Sequence, residues 1–216
     1  MGALDIRSFT VGQFQENCYI VRRPQAQEAL LIDPGAEPER LIEAVDALGV
    51  AISAILITHT HIDHIGAVAP LARHTGAAVY CPTLERGVLA DIDASVRDWG
   101  LSGFESYEAD ELLAGGEHLE LAGLEIDVQF TPGHSPGHLT YALPEQETLL
   151  VGDVLFRGSV GRTDLPGGDW ATLLGSIASL LDAHPGQTAV LPGHGAQSTL
   201  GAERESNPFL TELAAR

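Results

Sequence analysis

The run Thr58-His59-Thr60-His61-Ile62-Asp63-His64 places three imidazoles and a carboxylate within six consecutive positions. Without a cation such groups would repel protons and waste burial, so the run reads as a metal site. The preceding Ile52-Ser53-Ala54-Ile55-Leu56-Ile57 is short, apolar and β-branched, which predicts a buried strand. Just past its end His59 and His61 lie two apart, and alternate residues of an extended chain share a face. Asp63 reads as a helix cap, with Ile65 to Ala72 apolar enough to begin the helix. Two imidazoles would leave the strand together while Asp63 and His64 turn with the chain. One ligand set would then face two neighbouring ions.

The elements that must position these groups follow from pattern. Strands are predicted at Ile6 to Val11, Cys18 to Arg22 and Ala29 to Ile32, after which Asp33-Pro34-Gly35 breaks the pattern. A helix begins at Pro38, carries Leu41, Ile42, Val45 and Leu48 on one stripe, and ends at Gly49. Ala77 to Cys81 is another strand. Leu84 to Ala90 reads as a short helix, and the segment from there to Ala109, with Trp99 and Phe104, reads as a variable surface loop rather than a substrate-side insertion. Further strands follow at His118 to Leu121 and Leu124 to Phe130, joined by Ala122-Gly123 as a tight hairpin. Leu139 to Leu143, Leu149 to Val151 and Thr188 to Leu191 complete the set, and Asp169 caps a helix bearing Leu173, Leu174, Ile177, Leu180 and Leu181. The order suggests two similar halves in a single domain over residues 1–216.

A strand followed at once by a potential ligand recurs at His134, Asp153 and His194, each preceded by a glycine that permits a close turn. Singly, Asp153 is as good a cap and either histidine as good a surface residue. With the first cluster they complete seven ligands, enough for two ions. His74 and His184 fall near predicted helix ends, where an imidazolium suits the dipole, and His118 opens a strand. His138 is read as a hydrogen-bonding support.

Composition bounds the function. A net charge of −19 over 216 residues opposes binding to phosphate backbones and anionic lipid, so nucleic acid and membrane are not expected partners. The opening Met1 to Arg7 lacks a secretion-signal layout, and no apolar run reaches membrane-spanning length. Cys18 and Cys81 lie in apolar strand-like stretches without metal spacing, as buried free thiols of a cytoplasmic protein would.

These motifs in this order resemble the metallo-β-lactamase superfamily, over nearly the whole chain. The resemblance implies an α/β (α+β) fold, a four-layer αββα sandwich with metals at one edge of two mixed sheets. It implies His59, His61 and His134 on one ion, Asp63, His64 and His194 on the other, and Asp153 bridging. Asn17 to Val21, Thr131 to His138, Gly161 to Asp164 and Glu203 to Phe209 are similar to the glyoxalase II group, above all its short bacterial members. That group cleaves small thioesters such as S-lactoylglutathione, with two divalent ions, zinc first and iron or manganese as alternatives. Asp63 and Asp153 are the residues to which catalysis would fall, Asp63 chiefly as ligand with proton transfer as a second role.

Departures bear on the substrate. Only 22 residues follow His194, too few for the helical domain that grips glutathione in full-length glyoxalase II. Where that enzyme has a lysine and, two residues on, a tyrosine, this chain has Arg162 and Asp164. Arg162 can hold a substrate carboxylate through its planar fork, or can pair with Asp164 instead. Persulfide dioxygenases, with one iron on a subset such as His59, His134 and Asp153, are similar at Gly161 to Asp164, whereas Pro192-Gly193-His194-Gly195 looks more like the hydrolase ending. A β-lactamase, a nuclease and a non-catalytic metal module fit less well.

Overall fold

Residues 4–211 are described by the computed structural model; Met1 to Ala3, part of the opening stretch read above, and residues 212–216 lie outside them. Strands β1 (Asp5–Val11), β2 (Glu16–Arg22) and β3 (Glu28–Ile32) form an antiparallel meander. Helix α1 (Pro38–Leu48) crosses to β4 (Ala51–Leu56), which runs parallel to β3. Helices α2 (Ile62–Ile65) and α3 (Val68–Thr75) lead to β5 (Ala78–Pro82). Then come α4 (Arg86–Ala90) and α5 (Ile92–Val96), flanked by 3-10 turns at Thr83–Glu85 and Arg97–Trp99, and a short β6 (Glu111–Leu113). These six strands make one sheet in the order β1-β2-β3-β4-β5-β6.

The second sheet begins with the hairpin of β7 (His118–Leu121) and β8 (Leu124–Phe130) and continues through β9 (Leu139–Leu143) and β10 (Thr148–Gly152). A small hairpin, β11 (Leu155–Phe156) with β12 (Ser159–Val160), precedes α6 (Trp170–Ala183), β13 (Ala189–Pro192), β14 (Ser198–Thr199) and α7 (Leu200–Ser206). Its order is β14-β13-β10-β9-β8-β7, with β10 and β13 parallel.

Alternation along the strands assigns the layers. Tyr19, Val21, Leu30, Ile32 and Leu56 of the first sheet meet Ile126, Val128, Leu139, Tyr141 and Leu150 of the second in the central core. The other face of the first sheet, including Ile20, Leu31, Ile55 and Val79, packs against Leu41 and Val45 of α1, Leu71 of α3 and Leu89 of α4. Leu149, Val151 and Val190 on the outer face of the second sheet meet Leu173, Ile177 and Leu180 of α6. The result is the four-layer αββα arrangement.

Most expected elements stand within a residue or two of their predicted bounds. Asp169 accepts from the Thr172 backbone N–H at 2.8 Å and caps α6, and Gly49 closes α1 in the left-handed region. The turn between β7 and β8 has Ala122 at φ 52° and Gly123 at φ 69°, both positive as a two-residue hairpin of this kind requires. Cys18 and Cys81 are buried free thiols.

Three expectations need correction. Asp63 is not a cap: His61 holds that position, Asp63 lies inside the first turn of α2, and its side chain turns to the site. The helix expected from Ile65 to Ala72 is broken, because the Ala67 backbone N–H donates to the Pro34 carbonyl at 3.0 Å and a Cβ on Gly66 would stand 2.5 Å from the Gly35 carbonyl oxygen. The segment through Trp99 is not a plain loop. After the expected short helix, present as α4, it folds as α5 and a 3-10 turn, with Asp91 capping α5 through the Ala94 N–H, and Trp99 and Leu101 line a cleft over the predicted ligands.

Candidate metal centre

The ligands reach one place because the parallel strands end there. Asp33 follows β3, Thr58 and His59 follow β4, Asp153 follows β10, and His194 follows β13, all at the same edge of the sandwich. His134 arrives from the loop after β8. Such closeness requires glycine at particular points. A Cβ on Gly193 would lie 2.3 Å from Asp153 Oδ1 and 2.7 Å from His64 Cε1, and one on Gly152, at φ 47°, would lie 2.5 Å from Thr58 Oγ1.

Hydrogen bonds fix which nitrogen each imidazole presents. The Thr58 hydroxyl donates to Asp33 Oδ2 at 2.6 Å, so it accepts from His59 Nδ1 at 3.1 Å, and the His59 lone pair is left on Nε2. His134 Nδ1 donates to the Arg162 carbonyl at 2.8 Å, which leaves its lone pair on Nε2. These two nitrogens lie 3.1 and 2.8 Å from His61 Nδ1. One proton on His61 can satisfy only one of them, so the trio holds an unanswered lone pair wherever that proton sits. A cation satisfies all three.

The adjoining cluster has the same deficit. His64 Nδ1 donates to Asp33 Oδ2 at 3.0 Å and turns Nε2 to within 3.4 Å of Asp153 Oδ1. Both His64 Nε2 and Asp153 Oδ1 are buried and lack a hydrogen-bond partner. His194 Nε2 lies 3.2 Å from Asp63 Oδ2 and 3.5 Å from Asp153 Oδ2, and the same Asp153 oxygen lies 3.5 Å from His134 Nε2. Asp153 therefore stands between the two clusters. Those clusters, His59-His61-His134 and Asp63-His64-His194, each have donor atoms within 4.8 Å of one another. All seven expected ligands are brought together, and their donor set suits two divalent ions.

Their protonation differs by side. Burial pushes His59 well below the usual imidazole range, takes His61 to about 4 and lowers His134, so these three are neutral at pH 7. Burial also works against charge on His64 and His194, but the carboxylates outweigh it: Asp153 and Asp33 hold His64 raised, and Asp153 with Asp63 hold His194 at about 9. Burial would raise Asp153, yet His64, His194 and His134 keep it well below the ordinary carboxyl range.

The supporting residues were only partly foreseen. His138 is the hydrogen-bonding support it was read to be, its Nδ1 facing Thr131 Oγ1 and its Nε2 accepting from the Asp153 backbone N–H at 3.1 Å. Asp33, read only as a turn residue, accepts from the Thr58 N–H and hydroxyl and from His64. Glu85, 5 % exposed, accepts from the Thr60 N–H and hydroxyl through Oε2 and from the Ser135 hydroxyl and Gly137 N–H through Oε1. It ties the His59–His61 loop to the His134 loop. Glu16 is fully buried, and both its carboxyl oxygens lack a partner.

The remaining histidines stand apart. His74 pairs with Asp46 and His118 with Asp127 at the surface. His184 caps the end of α6, but burial lowers its pKa and it bonds Gln129, so it is not the imidazolium expected there. Of the two roles left open for Arg162, the ion pair is the one present: Nε and Nη2 each lie 2.7 Å from an oxygen of Asp164. The pair stands at the wall of a cleft of about 740 Å³ whose floor is His61, Asp63, His134, Asp153 and His194.

The family model of the metallo-beta-lactamase superfamily matches residues 11–194. A hydroxyacylglutathione hydrolase, GloC, of Haemophilus influenzae is 34% identical over 96% of this chain and 98% of its own length. Among solved structures, the BLEG-1 B3 metallo-beta-lactamase superposes with a TM-score of 0.90 at 39% identity, covering 95% of this chain and 99% of that one. TTHA1623, crystallised in a di-iron-bound form, gives a TM-score of 0.83 at 41% identity over 94% of this chain and 100% of that one.

Proposed function

This chain belongs to the metallo-β-lactamase superfamily, with the metal-binding hydrolase site of that family, and from that premise we propose that it is a two-metal hydrolase of small thioesters. The observation that carries the reading is Asp153, set between two donor clusters with one buried oxygen unpartnered beside an unpartnered His64 Nε2. When bound there, two divalent ions supply acidified water for attack and polarisation of the scissile carbonyl. Nitrogen and oxygen donors suit zinc, and equally admit iron or manganese.

The chain's own residues do the rest. Thr58 and the Arg162 carbonyl hold His59 and His134 in the tautomers that present Nε2. Asp33 does the same for His64, and partners of this kind set both the orientation and the basicity of a ligand. Asp63 faces the open side with its carboxylate on His194, where it can also accept a proton. A thioester suits this equipment, since a thiolate leaves with little acid assistance.

A one-iron dioxygenase would use His59, His134 and Asp153 and would leave Asp63, His64 and His194 gathered without a task. The −19 charge argues against a nucleic-acid substrate, and two buried free thiols accord with a cytoplasmic setting. Among the described residues no helix is long and apolar enough to cross a membrane.

The test is a metal count with an activity panel on S-lactoylglutathione, simpler thioesters and glutathione persulfide. Two ions per chain, thioester cleavage, and its loss in a folded Asp153→Ala variant are expected. A single iron with oxygen uptake on the persulfide would overturn the reading.

A further inference from the structure

Beside the cleft lies a second chamber of about 280 Å³ that shares His61, Ile62, Trp99 and Leu165 with it and so opens directly onto the reacting centre. Its outer wall is the helical segment after β5, which presents Leu84, Val88, Val96 and Trp99, opposite Pro136 and Leu165. The hydroxyls and the carboxylate in that lining are turned elsewhere. Thr60 and Ser135 donate to Glu85, whose oxygens are occupied by four donors, and the Ser95 hydroxyl donates to the Ile92 carbonyl at 2.7 Å. Leu84 is 66% and Trp99 52% exposed, so large apolar surface is left open at the mouth. The Trp99 indole N–H and His61 Nε2 are left to bond, but the rest of the lining offers chiefly apolar contact, which favours an apolar guest.

Charge points the same way. Among the described residues Arg162 is the only guanidinium lining cleft or chamber, it is forked onto Asp164, and the sequence contains no lysine. A thiol arm carrying carboxylates finds no unpaired cationic side chain on these walls. Resting on the thioesterase reading, we propose that the chamber beside Trp99 is a subsite for an uncharged aliphatic or aromatic arm of the thioester. Thioesters of that kind are then preferred to those of anionic thiols.

Two series on the metal-loaded enzyme distinguish which arm enters: N-acetylcysteamine thioesters from acetyl to hexanoyl, and acetyl thioesters from ethanethiol to hexanethiol. In one series kcat/KM rises about threefold to fourfold per methylene, the factor that burial of each CH₂ supplies. Val88→Asp, which sets a charge in the chamber, collapses the ratio between the longest and shortest substrates towards one. Trp170→Phe leaves Trp99 as the single tryptophan and gives a readout that needs no turnover. In that variant the S-hexyl thioether of N-acetylcysteamine, five methylenes longer, shifts Trp99 emission at a concentration about 200- to 1000-fold below the one the S-methyl thioether requires. An emission shift with no cleavage of any thioester would retain the subsite and remove the thioesterase reading. Cleavage that is flat with chain length in both series, with unchanged emission, would overturn the subsite and leave the thioesterase reading standing. So would S-lactoylglutathione outpacing the hexanoyl thioester and losing that lead in Arg162→Ala.

Discussion

Glu85→Gln changes one buried atom in a clamp of four hydrogen bonds. The carboxylate receives two donors on each oxygen, in each case one backbone N–H and one hydroxyl: Thr60 on one side, Gly137 and Ser135 on the other. Glutamine keeps one oxygen and presents an amide NH₂ where the other was. In either orientation the NH₂ faces one backbone N–H and one hydroxyl. The hydroxyl can rotate and accept; the backbone N–H cannot. One buried N–H is therefore orphaned, at about 1–3 kcal/mol, and the bonds that remain lose their charge assistance, so the total loss is about 3 kcal/mol. For a chain of this size that lowers Tm by about 6–12 °C.

The loss should also reach the metal. Thr60 lies between His59 and His61, and Ser135 follows His134, so a loosened clamp lets the three imidazoles drift apart. Support residues of this kind typically weaken metal affinity about 10–100-fold when changed. Urea unfolding of the metal-free protein measures the first effect, and competition with a chelator the second. Glu43→Gln, at an exposed position of α1, is the control and should stay within about 0.5 kcal/mol. A loss below about 1 kcal/mol in Glu85→Gln, or an unchanged affinity, would refute the clamp.

Asp33→Asn should leave the fold standing but weaken metal binding on the Asp63–His64–His194 side about 10–100-fold, measured by chelator competition, because His64 loses the acceptor that holds its tautomer. Gly35→Ala puts a Cβ 1.5 Å from the Asp63 carbonyl oxygen and 2.8 Å from Glu16 Oε2, so a lowered Tm together with loss of bound metal is expected; a variant that melts like the parent would contradict the packing. Acid should strip the two sides in order. His194 at about 9 and His64, also raised, carry protons at pH 7 that a cation must displace, whereas His59, His61 and His134 are already neutral. The proton on His194 alone weakens the first side about thirtyfold over the roughly 1.5 pH units from 7 to 5.5, His64 adds to that loss, and the three-imidazole side is weakened less. Metal content after dialysis at the two pH values checks this, and loss of both ions together would contradict it.

What was legible in the sequence is what a strand announces about its own end. His59, His134, Asp153 and His194 each follow an apolar run, so both their placement and their company could be read locally. Asp63 was misassigned as a cap because a helix N-terminus and a metal ligand call for the same residue type, and only the direction of the side chain separates them. The break between α2 and α3 was hidden for another reason: the loop at Pro34-Gly35, distant in sequence, imposes it. Glu85 and Asp33 lie 25 to 52 residues from the groups they hold, and nothing in their neighbourhoods names those groups.

A charge balance at the site joins the acidic composition to the chemistry. Asp33, Asp63 and Asp153 gather there with Glu16, whose carboxyl burial pushes well above the usual carboxyl range and so away from the charged form. With the two divalent cations proposed above, three carboxylate charges would leave the loaded centre positive by about one before any bound hydroxide, even within a chain of net charge −19. That local inversion is what the proposed thioester reaction, with its electron-rich carbonyl and departing thiolate, would require. It also explains why the cleft walls can dispense with lysine and commit their one arginine to Asp164. Attraction for the reacting group comes from the floor, and the walls are left to discriminate by shape and apolar contact.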